Sequence, residues 1–222
     1  MAPDLRALLR PETTAVVTIE CQRGVVGDRG PLPALTDAVR RTGMIERAAA
    51  VVRAARAAGA AVLHGVVHRR RDGGGVIESC KLLEIGRATG APLLAGSEAA
   101  ALVPELGPEP GDYVVPRLHG VTLFHDTELD SLLRSLGART VVLLGPSLNV
   151  GVPGTAVEAV NRGYRVVVPA DGVVGVPEEY GEQVLRHTMR MLATVTTCAA
   201  VIEALASATP AEAGARAARE RR

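Results

Sequence analysis

Apolar and polar positions along the chain fall into two alternating patterns. Six short runs are apolar almost throughout: Thr14–Glu20, Ala60–Val67, Asp112–Pro116, Thr140–Gly145, Arg165–Ala170 and Thr194–Cys198. Unbroken rather than alternating hydrophobicity predicts strands covered on both faces, as in a parallel sheet. Between the runs lie stretches with helical spacing. Met44–Ala58 puts Ile45, Ala48, Ala49, Val52 and Ala55 on one stripe, with Gly59 as a stop. Thr127–Leu136 places Leu129, Leu132, Leu133 and Leu136 one above another before Gly137. Pro153–Arg162 runs into Gly163, Pro177–Ala193 opens with a proline and two glutamates, and a last helix spans Ala199–Ala206.

Strand–helix alternation at this spacing predicts an α/β fold: a three-layer α/β/α, Rossmann-like domain around a mostly parallel sheet of about six strands. One domain is expected over residues 1–206, without internal repeats or a linker. Residues 73–110 read as a long excursion with a partial helix, closed by the loop Pro104–Pro110. The Ala/Glu/Arg-rich tail, residues 207–222, is expected to be a frayed helix or disordered, its arginines a solvated end.

Composition narrows the partners. The 222 residues carry 25 basic and 24 acidic side chains, a net charge of +1, which offers no field to hold a phosphate backbone. Aromatics make up 2% and tryptophan is absent, so stacking platforms for single strands are missing too. Nucleic acid is not an expected partner, and the core must be built from Val, Leu, Ile and Ala. Three separated cysteines (Cys21, Cys80, Cys198) without a C-x-x-C pair argue against a disulfide framework or structural zinc and fit a reducing cytoplasm. All three are expected to be small buried hydrophobes. No apolar leader or membrane-length run stands out, so a cytoplasmic protein that does not engage membranes is expected. No G-x-G-x-x-G follows the first strand, no P-loop motif occurs, and no cofactor is expected.

In an open parallel sheet, ligands bind beyond the carboxyl ends of the strands. Three ends carry unusual residues here. The first ends in Glu20-Cys21-Gln22, the third in Pro116-Arg117-Leu118-His119, and the fourth in Gly145-Pro146-Ser147-Leu148-Asn149-Val150-Gly151 before a helix. A carboxylate, a guanidinium and a glycine-rich turn at a helix N-terminus can together form an acid and anion site.

The ordered segments TAVVTIECQ, ALVPELGPEPGDYVVPR, FHDTELDSLLRSLGARTVVLLG and TAVEAVNRGYRVVVPADGV resemble the isochorismatase-like, or cysteine hydrolase, superfamily over roughly residues 12–206. The resemblance implies a catalytic Asp after strand one, a Lys after strand three and a nucleophilic Cys at the turn after strand four. Glu20, Arg117 and Gly151 stand at those three places. Without a thiol at Gly151, acyl-enzyme chemistry of the amidase type is not expected. Cys21 follows Glu20 on the opposite face, and no histidine is visibly placed to activate Ser147.

Gly at this turn resembles the isochorismatases proper, which cleave an enol-pyruvyl ether. That reaction needs a carboxylic acid to protonate the vinyl carbon, a role open to Glu20 as catalytic group. Glu is longer than Asp by one methylene, roughly 1.5 Å, so the pocket must differ. Arg117 exchanges no proton at neutral pH and serves as anchor for an anionic small molecule. Gln22, Asn149, Val150 and Gly151 match pocket positions, with Gln22 and Asn149 either contacting ligand or bracing the turns.

His119 is the favoured histidine of the site, against a loop-bracing role. His64 and His68 share a face, but HGVVHRRRDGG lacks the Asp-x-His pattern of zinc-binding relatives, so no metal is expected. Arg69, Arg70 and Arg71 read as a solvated loop or a cap over an anionic substrate. The resemblance further implies a homo-oligomer, a dimer or higher. Two functions stand against each other: thiol-independent acid–base hydrolysis through Glu20, and a non-catalytic protein that binds a small molecule or partner in the retained pocket.

Overall fold

The structure, a computed structural model, describes residues 4–88 and 93–207. Six parallel strands form one sheet in the order β3-β2-β1-β4-β5-β6. They are β1 (Thr14–Ile19), β2 (Ala61–Val67), β3 (Tyr113–Arg117), β4 (Thr140–Leu144), β5 (Arg165–Pro169) and β6 (Thr194–Thr196). The α/β fold with a mostly parallel six-stranded sheet is therefore as the apolar runs imply.

Side-chain alternation along the strands sorts the core into two layers. Val16, Val62, Val142 and Val167 pack on one side with α3 (Met44–Ala58) and α9 (Cys198–Ser207). Ala15, Val17, Ile19, Val141 and Leu143 face the other side, against α5 (Leu129–Ser135) and α6 (Gly151–Asn161). β1 and β4 are buried along their whole length, whereas edge strand β3 exposes Tyr113, Val114 and Pro116. A proline is tolerated at an edge, where its missing donor breaks no ladder.

Several boundaries differ from the sequence expectation. α1 (Leu5–Leu8) and α2 (Pro33–Thr42) are additional helices. α2 carries the signals of a proline at its start and Gly43 in the left-handed region at its end. The excursion after β2 contains α4 (Lys81–Ala88), which begins just after Cys80. Cys80 is exposed because this helix leaves the core, correcting the expectation of three buried thiols. The stretch that begins at Pro177 is continuous from α7 (Glu178–Val184) through a π-helical segment, Leu185–Met189, to α8 (Arg190–Leu192). Residues 208–222 of the expected tail lie outside the described residues. Among the described residues, no helix is long and apolar enough to cross a membrane.

One polar network is buried within the α3 side. Thr18 Oγ1 and His64 Nδ1 are 2.8 Å apart, and His64 Nε2 lies 3.2 Å from Asp112 Oδ2. The carboxylate accepts from Nε2, so the hydroxyl of Thr18 donates to Nδ1. Arg56 Nε also donates to Asp112, at 3.2 Å. Burial holds His64 below its ordinary value of 6.5, although Asp112 pulls the other way. On acidification the unfolded chain takes up the proton first. His64 therefore favours the fold fully above about pH 6.5, and that contribution is lost as pH falls below it.

The unfolding free energy from urea titrations should consequently drop between pH 7 and 5, by at most about 1.4 kcal/mol per pH unit for one such proton. In His64→Gln the dependence should flatten without vanishing. His68, also lowered by burial, still titrates in the same sense. An unchanged slope in that variant would show that His64 charges freely in the folded protein.

Candidate active site at the sheet's switch point

β1 sits between β2 and β4, so the strand order reverses there. In such sheets ligands bind outside the carboxyl ends of the strands at a reversal of this kind. Glu20 immediately follows β1 with φ +49°, and Ser147 follows β4 with φ +67°. Among the described residues only one other non-glycine, Asp126, has a positive φ. Such backbone costs energy and persists where surrounding structure imposes it, often at functional sites.

The bend at Glu20 is held from both sides. Its N–H donates to Gly65 O at 2.8 Å, and its carbonyl accepts from Gln22 N at 2.8 Å. The side chain of Glu20 meets Arg117, which ends β3: Arg117 Nη2 donates to Glu20 Oε1. Arg117 is 6% exposed and Glu20 19%, so the arginine is shielded and the carboxylate keeps a small exposed part. Arg117 Nη1 is buried without a hydrogen-bond partner.

The turn after β4 is built around Ser147. Its Oγ accepts from Gly151 N at 3.1 Å, and its carbonyl accepts from Val152 N at 3.1 Å. Helix α6 therefore begins at Gly151, two residues earlier than its proline suggests. A Cβ on Gly151 would stand 3.2 Å from Ser147 Oγ and 3.3 Å from its Cβ. Val150, the residue before the helix, is exposed.

Other sequence candidates are spread around this centre. Gln22 is wholly buried, its Nε2 donating to Val67 O (3.0 Å) and Ala100 O (2.8 Å) while its Oε1 accepts from Val67 N (2.7 Å). Asn149 exchanges two hydrogen bonds with Val176, at 2.7 and 2.9 Å. Both amides thus brace the loops around the site. His119 Nδ1 accepts from Ile77 N at 3.3 Å, and its ring packs edge-on against His125 at 5.6 Å between centroids.

The buried thiols are set apart from this chemistry by character rather than by place, since Cys21 directly follows Glu20. Burial pushes Cys21 up to about 12, with the charge of Glu20 adding to it. Cys198 is raised to about 12 as well, by burial first and then by Asp171. A thiol at that value carries almost no thiolate at neutral pH. Among the described residues no group of three or more His, Cys, Asp or Glu side chains is placed to hold a metal ion.

A family model for the isochorismatase domain matches residues 14–200, which is most of the chain. The chain belongs to the isochorismatase family. Ureidoacrylate amidohydrolase RutB of Methylobacterium radiotolerans is 34% identical over 222 residues, covering 93% of this chain and 85% of the relative. An isochorismatase family protein from Burkholderia thailandensis superposes with a TM-score of 0.73 at 29% identity, covering 87% of this chain and 96% of that one. A cysteine hydrolase from Pseudomonas syringae pv. phaseolicola shares the fold, with TM-score 0.75 at 23% identity over 91% of this chain and 96% of the other. The chain is thus a hydrolase-family member with a carboxylate–guanidinium pair at its switch point.

Arg69 also lies near the Glu20–Arg117 pair of this isochorismatase-family protein, a placement that the sequence leaves open. The sequence joins it to Arg70 and Arg71 in one basic run, yet the three differ. Arg70 forks onto Asp72 in solvent and Arg71 is exposed. Arg69 is half-buried, its Nη1 donating to Leu118 O at 2.6 Å beside Arg117. A parallel bridge between Arg69 and Leu94 turns it inward, and that long-range contact has no local sequence signal.

Proposed function

We propose that this isochorismatase-family protein hydrolyses a small anionic metabolite without a thiol, by proton transfer through Glu20 with Arg117 as the anchor. The observation that carries the reading is the Glu20–Arg117 pair at the switch point, beside a helix that starts with glycine. An enol-pyruvyl ether suits these groups. The carboxylic acid form of Glu20 gives its proton to the vinyl carbon, and the ether oxygen stabilises the resulting cation. Water adds to the oxocarbenium carbon and returns a proton to Glu20. The hemiketal then collapses to pyruvate and an alcohol.

Arg117, permanently charged, holds the substrate's anion and takes no part in proton transfer. Pyruvate release from isochorismate, followed with purified protein, tests the reading. Release at a rate proportional to enzyme supports it, and none at high enzyme concentration overturns it. The second reading, a protein that binds its ligand without turning it over, draws support from the near-complete burial of Arg117 in its ion pair. Ligand binding without product would favour it.

The glycine at the head of α6 yields a separate expectation. Gly151→Cys should leave ureidoacrylate unhydrolysed, although that relative's substrate is an amide-type compound. The new Cβ meets Ser147 at 3.2–3.3 Å, so the serine has to move. Arg117 also has no proton to exchange with a thiol-based cycle. Ammonia release above background by this single variant would show that only the sulfur is missing.

A further inference from the structure

The guanidinium of Arg117 is divided. Nη2 donates to Glu20, whereas Nη1 is buried with no partner, an arrangement that is costly unless something else completes it. Arg69 adds a second cation. Its N–H donates to Leu93 O at 2.7 Å, its carbonyl accepts from Ala95 N at 3.1 Å, and Nη1 is tied to Leu118 O. Among the described residues no carboxylate is ion-paired with it. Burial and the like charge of Arg117 both pull Arg69 below its ordinary value, while Glu20 acts in the opposite direction. Two guanidiniums and one carboxylate thus lie within electrostatic reach of each other, leaving one positive charge uncompensated in a half-buried place.

We infer that Arg69 and the free Nη1 edge of Arg117 form a clamp for a carboxylate of the substrate. This rests on the reading of Arg117 as an anchor, and it adds a second anchoring residue and the class of the anion. A planar carboxylate matches the edge of a guanidinium, whose neighbouring N–H donors lie in one plane. The two terminal nitrogens of one guanidinium are neighbours, so a carboxylate on Nη1 lies beside the carboxyl of Glu20 on Nη2. An enol-pyruvyl group held this way has its vinyl CH2 carbon two bonds from its carboxylate carbon, within the reach of the proton donor. Arg69 fixes the other oxygen and sets specificity for the acid over its amide or ester.

Calorimetric titration with pyruvate, pyruvamide and inorganic phosphate tests the clamp on the whole chain. Wild type should bind pyruvate more tightly than either alternative. Arg69→Gln should weaken pyruvate roughly ten- to hundredfold, the loss expected for one charge-assisted contact, and Arg69→Lys should recover part of it. Pyruvamide binding should be indifferent to both changes. With isochorismate, Arg69→Gln should raise KM and leave kcat nearly unchanged, as for a contact kept from ground state to transition state.

Pyruvate bound no better than pyruvamide by wild type overturns the clamp without recourse to any variant. Pyruvate affinity unchanged in Arg69→Gln overturns it as well, and phosphate bound more tightly than pyruvate overturns the carboxylate assignment. Turnover that needs Glu20 but ignores Arg69 defeats the clamp and leaves the hydrolysis standing. Arg69-dependent pyruvate binding in a protein that releases no pyruvate from isochorismate does the reverse.

Discussion

Glu20→Gln should lower pyruvate release from isochorismate by at least about a thousandfold, within the range that a positioned proton donor contributes. The loss should fall on kcat, because the amide is almost the same size and still accepts a hydrogen bond from Arg117 Nη2. Substrate anchored through arginine keeps its place, so KM should move little. Folding should survive. Replacing the carboxylate leaves the nearly buried Arg117 without its counter-charge, at a cost of about 1–3 kcal/mol, against a usual total of about 5–15. Glu20→Asp separates the two roles. Its carboxyl retreats by roughly 1.5 Å, which breaks the contact with Arg117 while keeping an acid in the site. Activity of Glu20→Asp between that of wild type and Glu20→Gln identifies position as well as proton as the requirement. Full turnover in Glu20→Gln would remove this residue from the chemistry and favour water held by other groups.

Much of the architecture was legible because it rests on local pattern. β1 and β4 are buried on both faces and read as unbroken apolar runs, and the α3 stripe ends at a glycine that adopts φ +77°. Elements whose reason lies elsewhere in the chain were less visible. α2 is polar at half of its positions and buries only Ala38 and Val39, and the start of α6 is fixed by the Ser147 hydroxyl four residues back rather than by its proline. The site shows the same division. Glu20 and Arg117 stood out as charges at the ends of apolar strands, and the sheet order brings them together. The bracing of Gln22 against Val67 and Ala100, and the burial of Arg69 by Leu94 and Leu118, depend on folds of chain 25 to 78 residues away. Three adjacent arginines look alike in sequence, and only tertiary contacts set one of them apart, half-buried near Arg117.

Gly145→Ala should be the most damaging single methyl added to the site, lowering stability by about 3–5 kcal/mol through forced backbone movement and a disfavoured conformation. Gly145 has φ +125°, and its carbonyl and N–H pair with the segment around Val173. A Cβ there would stand 2.4 Å from Ile19 O and 3.1 Å from Ile19 N, both backbone atoms of β1. No rotamer change relieves such a contact, so the ends of β1 and β4 must separate. They are the two strands that carry Glu20 and the Ser147 turn, so the folded fraction should also lose activity. Gly137→Ala is the matched comparison: φ is +69°, and nothing lies within 4 Å of its added Cβ. It should cost only the conformational share, about 1–2 kcal/mol. Urea unfolding of the two variants reads the difference, with unchanged m-values expected. Equal losses would mean that the strand ends part easily, and the close approach of β1 to β4 would then not be what holds Glu20 in its left-handed bend.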